Sequence, residues 1–212
     1  MSQKFLVLEL FILFIFIPSS LALNYSEKLK VALVLGAFIY ICGHLIKSFR
    51  SQEFLKPKLK WKSFFVRIGI QTVILGIVTV LAVYLTHPEA LFCIPTQRPK
   101  LYVTIVLVYT FISVWPQEVI YRTFFFQRYQ KVISSDRAMI LVNALLFMFA
   151  HLFFRNVLVL ILTFLGGILF ALTYIKTKSI LLVSIEHALY GNWLFTVGMG
   201  EMLAFPGQES CG

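Results

Sequence analysis

Leu101-Tyr-Val-Thr-Ile-Val-Leu-Val-Tyr-Thr-Phe-Ile-Ser-Val114 runs without a charge into Trp115-Pro-Gln-Glu-Val-Ile-Tyr-Arg122, and Thr-Phe-Phe-Phe follows. A run of this length and apolarity reads as a membrane-spanning helix. An acid and a base inside it each cost roughly 2.5–3.5 kcal/mol on insertion. Such charges persist mainly where they pair, line a cavity or do chemistry. Glu118 and Arg122 are four residues apart, so on a helix they share a face and can neutralise each other. Pro116 removes a backbone donor just before Gln117 and is expected to kink the span there.

The composition agrees with that reading. Of the 212 residues, 59% are hydrophobic and 13% charged, with a mean hydropathy of +0.87, which excludes an ordinary soluble domain. The expected fold is all-α and polytopic, with about seven transmembrane helices (six to eight). The spans are expected at residues 5–23, 31–46, 64–86, 101–126, 139–154, 156–174 and 180–197. Ser20-Leu21-Ala22 resembles a signal-peptidase site, but Glu9 interrupts the apolar part, and an uncleaved first span is expected. Arg67 sits near the basic end of its span, placed to snorkel to the headgroups. Ser135 is a candidate helix cap, and Gly166-Gly167 permits close helix approach.

The net charge of +10 does not point to nucleic acid, because no soluble fold remains to present a basic face. Six cations fall between Lys47 and Lys62, around Pro57, as in a cytoplasmic loop beside anionic lipid. With the amino terminus in the cytoplasm, the inside segments (Lys4, 47–62, 128–137 and 176–178) hold twelve Lys and Arg. The outside segments (28–30, 98–100 and Arg155) hold five. This asymmetry places the amino terminus inside and the carboxyl terminus outside. Cys42, Cys93 and Cys211 lie far apart without a Cys-x-x-Cys, so neither a disulfide framework nor a thiolate metal site is indicated.

Further polar residues interrupt the later spans: His151, and Glu186-His187 in Ile-Glu-His-Ala-Leu-Tyr-Gly-Asn. Counted from the expected cytoplasmic helix ends at 1.5 Å per residue, Glu118 lies about 15 Å deep, His187 about 14 Å and His151 about 21 Å. Tilt can absorb the difference. A carboxylate and two imidazoles at similar depth can hydrolyse an amide. Glu118 can deprotonate a water, and the histidines can orient that water, protonate the leaving amine or bind the oxyanion. A Glu and two His can also ligate zinc, but the dense His-Glu-x-x-His spacing is missing, so zinc is possible and not favoured. The spacing leaves three readings open: a hydrolase, a proton- or ion-coupled transporter, and a structural polar cluster. The lack of repeats or paired broken helices weakens the transporter. For any one histidine alone, a helix-to-helix hydrogen bond is the ordinary role. Phe147 is expected to pack on the His151 ring. Asn143 is expected to bond between helices. Trp115, Tyr121 and Trp193 are read as packing or interfacial rings.

Gln117-Glu118-Val-Ile-Tyr-Arg122, Phe147-Met-Phe-Ala-His151 and His187-Ala-Leu-Tyr-Gly-Asn192 resemble, in order, the three motifs of the CPBP intramembrane proteases. That family includes the type II CAAX prenyl endopeptidases and proteins linked to bacteriocin processing and immunity. The resemblance covers about residues 101–199. It divides the chain into amino-terminal helices with a basic loop (1–100), a protease-like core (101–200) and a tail (201–212). It implies an all-helical membrane fold, a cavity open to the cytoplasm and peptide-bond hydrolysis by glutamate-activated water. It further implies catalytic roles for Glu118, His151 and His187, with Gln117, Arg122, Phe147, Glu186 and Asn192 supporting them or binding substrate. No cofactor is expected. The expected partners are a membrane-associated protein or peptide and the bilayer, at a bacterial inner membrane.

The chain departs from the motifs twice. Gln117 stands where the family has the first of two glutamates. Gly191 stands four after His187 with Asn192 one further on, and an unwinding at Gly191 would let Asn192 reach the site. Glu186 is then either a partner for Arg122 or a replacement base. The runner-up reading is a catalytically silent relative that binds a membrane peptide or confers bacteriocin immunity.

Overall fold

Each apolar run long enough to cross a bilayer becomes a helix in the computed structural model, which describes residues 2–48 and 61–203. The helices are α1 (Gln3–Leu21), α2 (Glu27–Lys47), α3 (Trp61–Thr86), α4 (Pro99–Tyr129), α5 (Asp136–Phe154), α6 (Val157–Thr177) and α7 (Ile180–Val197). All seven are long and apolar enough to span a membrane, and no strand occurs among the described residues. The chain is therefore an all-α, multi-pass membrane protein. Most of the expected basic loop, with Pro57, and the tail from residue 204 lie outside the described residues, as does Cys211.

Residues 2–48 and 117–180 form one unit, holding α1, α2, the second part of α4, α5 and α6. Its centre is Phe14, fully buried, whose ring meets Tyr121 at 5.3 Å, Phe125 at 5.5 Å and Tyr129 at 5.9 Å. Those edge-on contacts suit the aromatic quadrupole. Close approach of α5 and α6 depends on Gly167, where a Cβ would lie 2.9 Å from Ala144 Cα. Gly166, its neighbour in sequence, faces Phe170 of its own helix instead. Ser135 precedes α5 but makes no capping bond with its side chain. Asn156 does cap α6, accepting from the amides of Leu158 and Val159.

Residues 61–116 and 181–203 form the second unit, with α3, the first part of α4 and α7. Ile94, Ile105 and Phe195 are its buried core, flanked by Leu101, Tyr102, Tyr109 and Leu203. Trp193 donates from Nε1 to Thr79 at 2.8 Å, and Tyr102 bonds Thr196 at 2.8 Å. Cys93, in the short helix Cys93–Gln97, is disulfide-bonded, whereas Cys42 is free. Spacing along the chain indicated no disulfide, because spacing does not report which segments fold together.

Candidate active site

Pro116 has no N–H to offer the carbonyl of Ile112. The helix does not end there. It widens into π-helical turns on either side of the α-helical Trp115–Glu118, at Tyr109–Val114 and Val119–Phe124. Such turns concentrate at functional sites, and here they carry Glu118 and Arg122 to the interior of the first unit.

Both of those side chains are fully buried, and Arg122 Nε lies 3.2 Å from Glu118 Oε2. Arg122 also donates from Nη1 to Asn143 Oδ1 at 2.5 Å, and Asn143 Nδ2 donates to the Tyr121 carbonyl at 2.7 Å. Asn143 thus bridges α4 and α5, as its apolar surroundings predict. Beneath the guanidinium lie the rings of Phe147, centroid 5.0 Å away, and Phe170, 5.7 Å away. These cation–π contacts help offset the desolvation of a buried cation.

Phe147 leads directly to His151, ring centroids 4.8 Å apart. His151 does not sit within regular helix. The α-helical part of α5 stops at Phe149, and His151 occupies the turn beyond it, with φ −101° and ψ 6°. That turn brings His151 Nδ1 to 2.7 Å from the Phe147 carbonyl. A carbonyl only accepts, so Nδ1 carries the proton and Nε2 the lone pair. The first unit therefore assembles Glu118, Arg122, Asn143, Phe147 and His151 into one chain of contacts. Gln117 is half-buried at its edge.

The second unit holds the remaining motif residues. Glu186 is fully buried and His187 nearly so. Glu186 Oε2 lies 3.4 Å from Arg67 Nη2, and its Oε1 accepts from the Tyr190 hydroxyl at 3.3 Å. The same hydroxyl lies 3.0 Å from Gln71 Oε1. Within its own unit Glu186 is thus partnered by Arg67, while Arg122 holds Glu118 and Asn143 in the other. Arg67 correspondingly turns inward to a carboxylate. Nothing in the sequence near Arg67 marks it as a partner of the third motif. His187 packs edge-on against Tyr109, centroids 6.0 Å apart.

α7 remains an unbroken α-helix through Gly191, so the helix does not unwind there. Gly191 has a different purpose: a Cβ there would lie 2.0 Å from the Tyr109 hydroxyl and 2.4 Å from its ring. Asn192 donates from Nδ2 to Thr110 Oγ1 at 3.0 Å, and its Oδ1 is buried with no hydrogen-bond partner among the described residues. A groove of about 600 Å³ runs along α3, lined by Lys62, Ser63, Val66, Arg67, Ile70 and Gln71. Two of those residues are the ones that reach Glu186 and Tyr190.

Among the described residues, no three His, Cys, Asp or Glu side chains are grouped to hold a metal ion. No curated protein and no solved structure matches the chain. Residues 99–193, which include Gln117, Glu118, Arg122, Phe147, His151, Glu186, His187 and Asn192, match the family model described as type II CAAX prenyl endopeptidase Rce1-like, consistent with a CPBP family intramembrane protease.

Proposed function

We propose that the chain is an intramembrane endopeptidase that hydrolyses a peptide bond in a membrane-associated protein or peptide, with Glu118 as the base. The observation that carries this reading is the fully buried Glu118–Arg122 pair, linked through Phe147 to a histidine of defined tautomer. A purely structural ion pair has no need of that histidine. The family match supports the same reaction class.

In the proposed reaction, one proton of a water is held by the Glu118 carboxylate and the other by the His151 Nε2 lone pair. The water oxygen adds to the carbonyl carbon as its proton passes to Glu118. His151 with its proton on Nδ1 has no donor at Nε2 while neutral, so the oxyanion needs a donor other than His151. The proton then moves from Glu118 to the amine nitrogen as the C–N bond breaks, leaving an acid and an amine. Arg122 holds Glu118 in place, and Asn143 holds Arg122. The proposed reaction is metal-free, and no step in it passes through a metal ion.

The test is hydrolysis of membrane peptides by the reconstituted protein. Glu118→Gln should lower kcat by about 10²–10⁴-fold, the usual range for a general base. His151→Ala should lower kcat with KM little changed. Activity that survives Glu118→Gln but is lost in Glu186→Gln would transfer the role of base to Glu186. Activity lost on chelation and restored by zinc would overturn the metal-free mechanism. A second reading rests on Gln117, which cannot take a proton from water: a silent relative that binds membrane peptides or confers bacteriocin immunity. Tight peptide binding without cleavage in the wild-type chain favours it.

A further inference from the structure

Glu9 is an acid in the middle of the first apolar run, and the proposed chemistry has no use for it. It is 6% exposed and takes a bidentate pair from Arg128, Nε to Oε2 at 2.7 Å and Nη2 to Oε1 at 2.8 Å. The hydroxyls of Tyr40 and Tyr129 donate to the same carboxylate. Arg128 Nη1 lies 3.2 Å from His44 Nε2. Arginine only donates, so His44 accepts at Nε2 and keeps its own proton on Nδ1. Four residues from three helices of the first unit thus orient one guanidinium.

Beside that cluster is a cavity of about 220 Å³. Its polar lining is Arg128, Lys131, Gln127 and His44, with no acid among the lining residues. Its apolar wall is Leu6, Leu45 and Phe124, all buried. Glu9 balances Arg128, which leaves Lys131 as the uncompensated charge of the lining. The volume is below the roughly 300–1,000 Å³ of pockets for drug-sized ligands, so it suits a headgroup and not a folded peptide. The lining residues come from the start of α1, the end of α2, and the end of α4 with the turn just after it, and ends of spanning helices are the parts that reach the headgroup layer. Basic pockets of this kind between membrane helices bind anionic lipid headgroups.

We propose that this cavity binds the phosphodiester of an anionic phospholipid, with Lys131 and Arg128 on the phosphate, His44 and Gln127 as hydrogen-bonding partners, and the glycerol end of the lipid against Leu6 and Phe124. The site is separate from Glu118, His151 and His187 and does not depend on their proposed roles.

The experiment uses the full chain in detergent, with dioleoylphosphatidylglycerol, dioleoylphosphatidylcholine and inorganic phosphate as probes. Native mass spectrometry reads lipid retention, and Tm reads stabilisation. The glycerol lipid should be retained as one adduct per chain and raise Tm, and the choline lipid should do neither. His44→Gln with Lys131→Gln should weaken retention by at least about fivefold, the worth of one lysine at a lipid surface. Lys176→Gln removes the same charge away from the cavity and should leave retention unchanged. Should the double variant not fold, Lys131→Gln alone carries the comparison, since that side chain is exposed. Equal retention of both lipids overturns the proposal, as does equal loss in Lys176→Gln, which would mean bulk charge attraction. An equal Tm rise from inorganic phosphate would mean a soluble phosphate site and also overturns the lipid assignment.

Discussion

Arg122 is the residue on which the first unit's polar interior turns, because it is fully buried and touches an acid, an amide and two rings. Removing one partner of a buried ion pair costs about 3–5 kcal/mol, since the survivor stays desolvated. Arg122→Met should therefore lower stability by about that amount, read as a drop in Tm in detergent. A Tm shift no larger than that of an exposed substitution would mean the pair is solvated. Asn143→Leu keeps the volume but takes the acceptor from Arg122 Nη1, and should cost about 1–3 kcal/mol. Its diagnostic is kinetic: kcat should fall with KM little changed, because Asn143 acts on Glu118 through Arg122. Gly191→Ala places a methyl group against the Tyr109 ring and should cost about 1–3 kcal/mol through overpacking. Combining it with Tyr109→Ala should recover part of the lost Tm, and no recovery would move the clash elsewhere.

At the scale of the element, α7 shows how burial inside the protein lets a spanning helix tolerate polar residues. α7 has the lowest hydropathy of the seven helices, 1.3, and the largest buried share, 50%. A helix shielded by protein can carry Glu186, His187 and Asn192, because each finds a partner inside the fold and not in lipid. α2 is 11% buried with a hydropathy of 2.0, as expected for a helix facing lipid. Arg67, on α3, is the tie between such a peripheral helix and α7. Arg67→Leu should cost about 1–3 kcal/mol in Tm, a modest loss because its 3.4 Å pair is partly exposed. Loss of that pair should lower activity more than an equal loss of Tm caused at Gly76, which sits under Trp193. Equal losses of activity would leave Arg67 a merely structural residue.

For the whole molecule, the open quantity is its direction in the membrane. The split of Lys and Arg proposes an amino terminus inside the cell, which puts the segment after α3 outside. Cys93 is disulfide-bonded, and disulfides persist in oxidising compartments, so the accessibility of Cys93 tests that proposal. In intact cells, a membrane-impermeant maleimide should label Cys93 only after an impermeant reductant has been added. Labelling of Cys93 confined to inverted vesicles would reverse the assignment. The matched residues 99–193 draw on both units, so the amino-terminal helices join the fold without belonging to the matched segment. Glu9 of α1, bonded to Arg128 of α4, is the clearest case.

The sequence by itself determined the seven helices, because transfer of about twenty consecutive residues into lipid is a local property summed along the chain. It also determined the Glu118–Arg122 pair, since four residues on a helix is a fixed distance, and the stacking of Phe147 on His151 follows from the same spacing. Only the tertiary structure decided which distant group each remaining charge meets. Glu9 finds Arg128 and Glu186 finds Arg67, each 119 positions away. A buried charge requires a partner, but its cost is the same whichever helix supplies one, so hydropathy cannot choose between them. The turn that sets the tautomer of His151, the ring that Gly191 admits and the bond at Cys93 were decided in the same way, by which segments pack together. The motif around Trp115–Arg122 was therefore legible as residues from the start, and its neighbours became legible only when the helices were assembled.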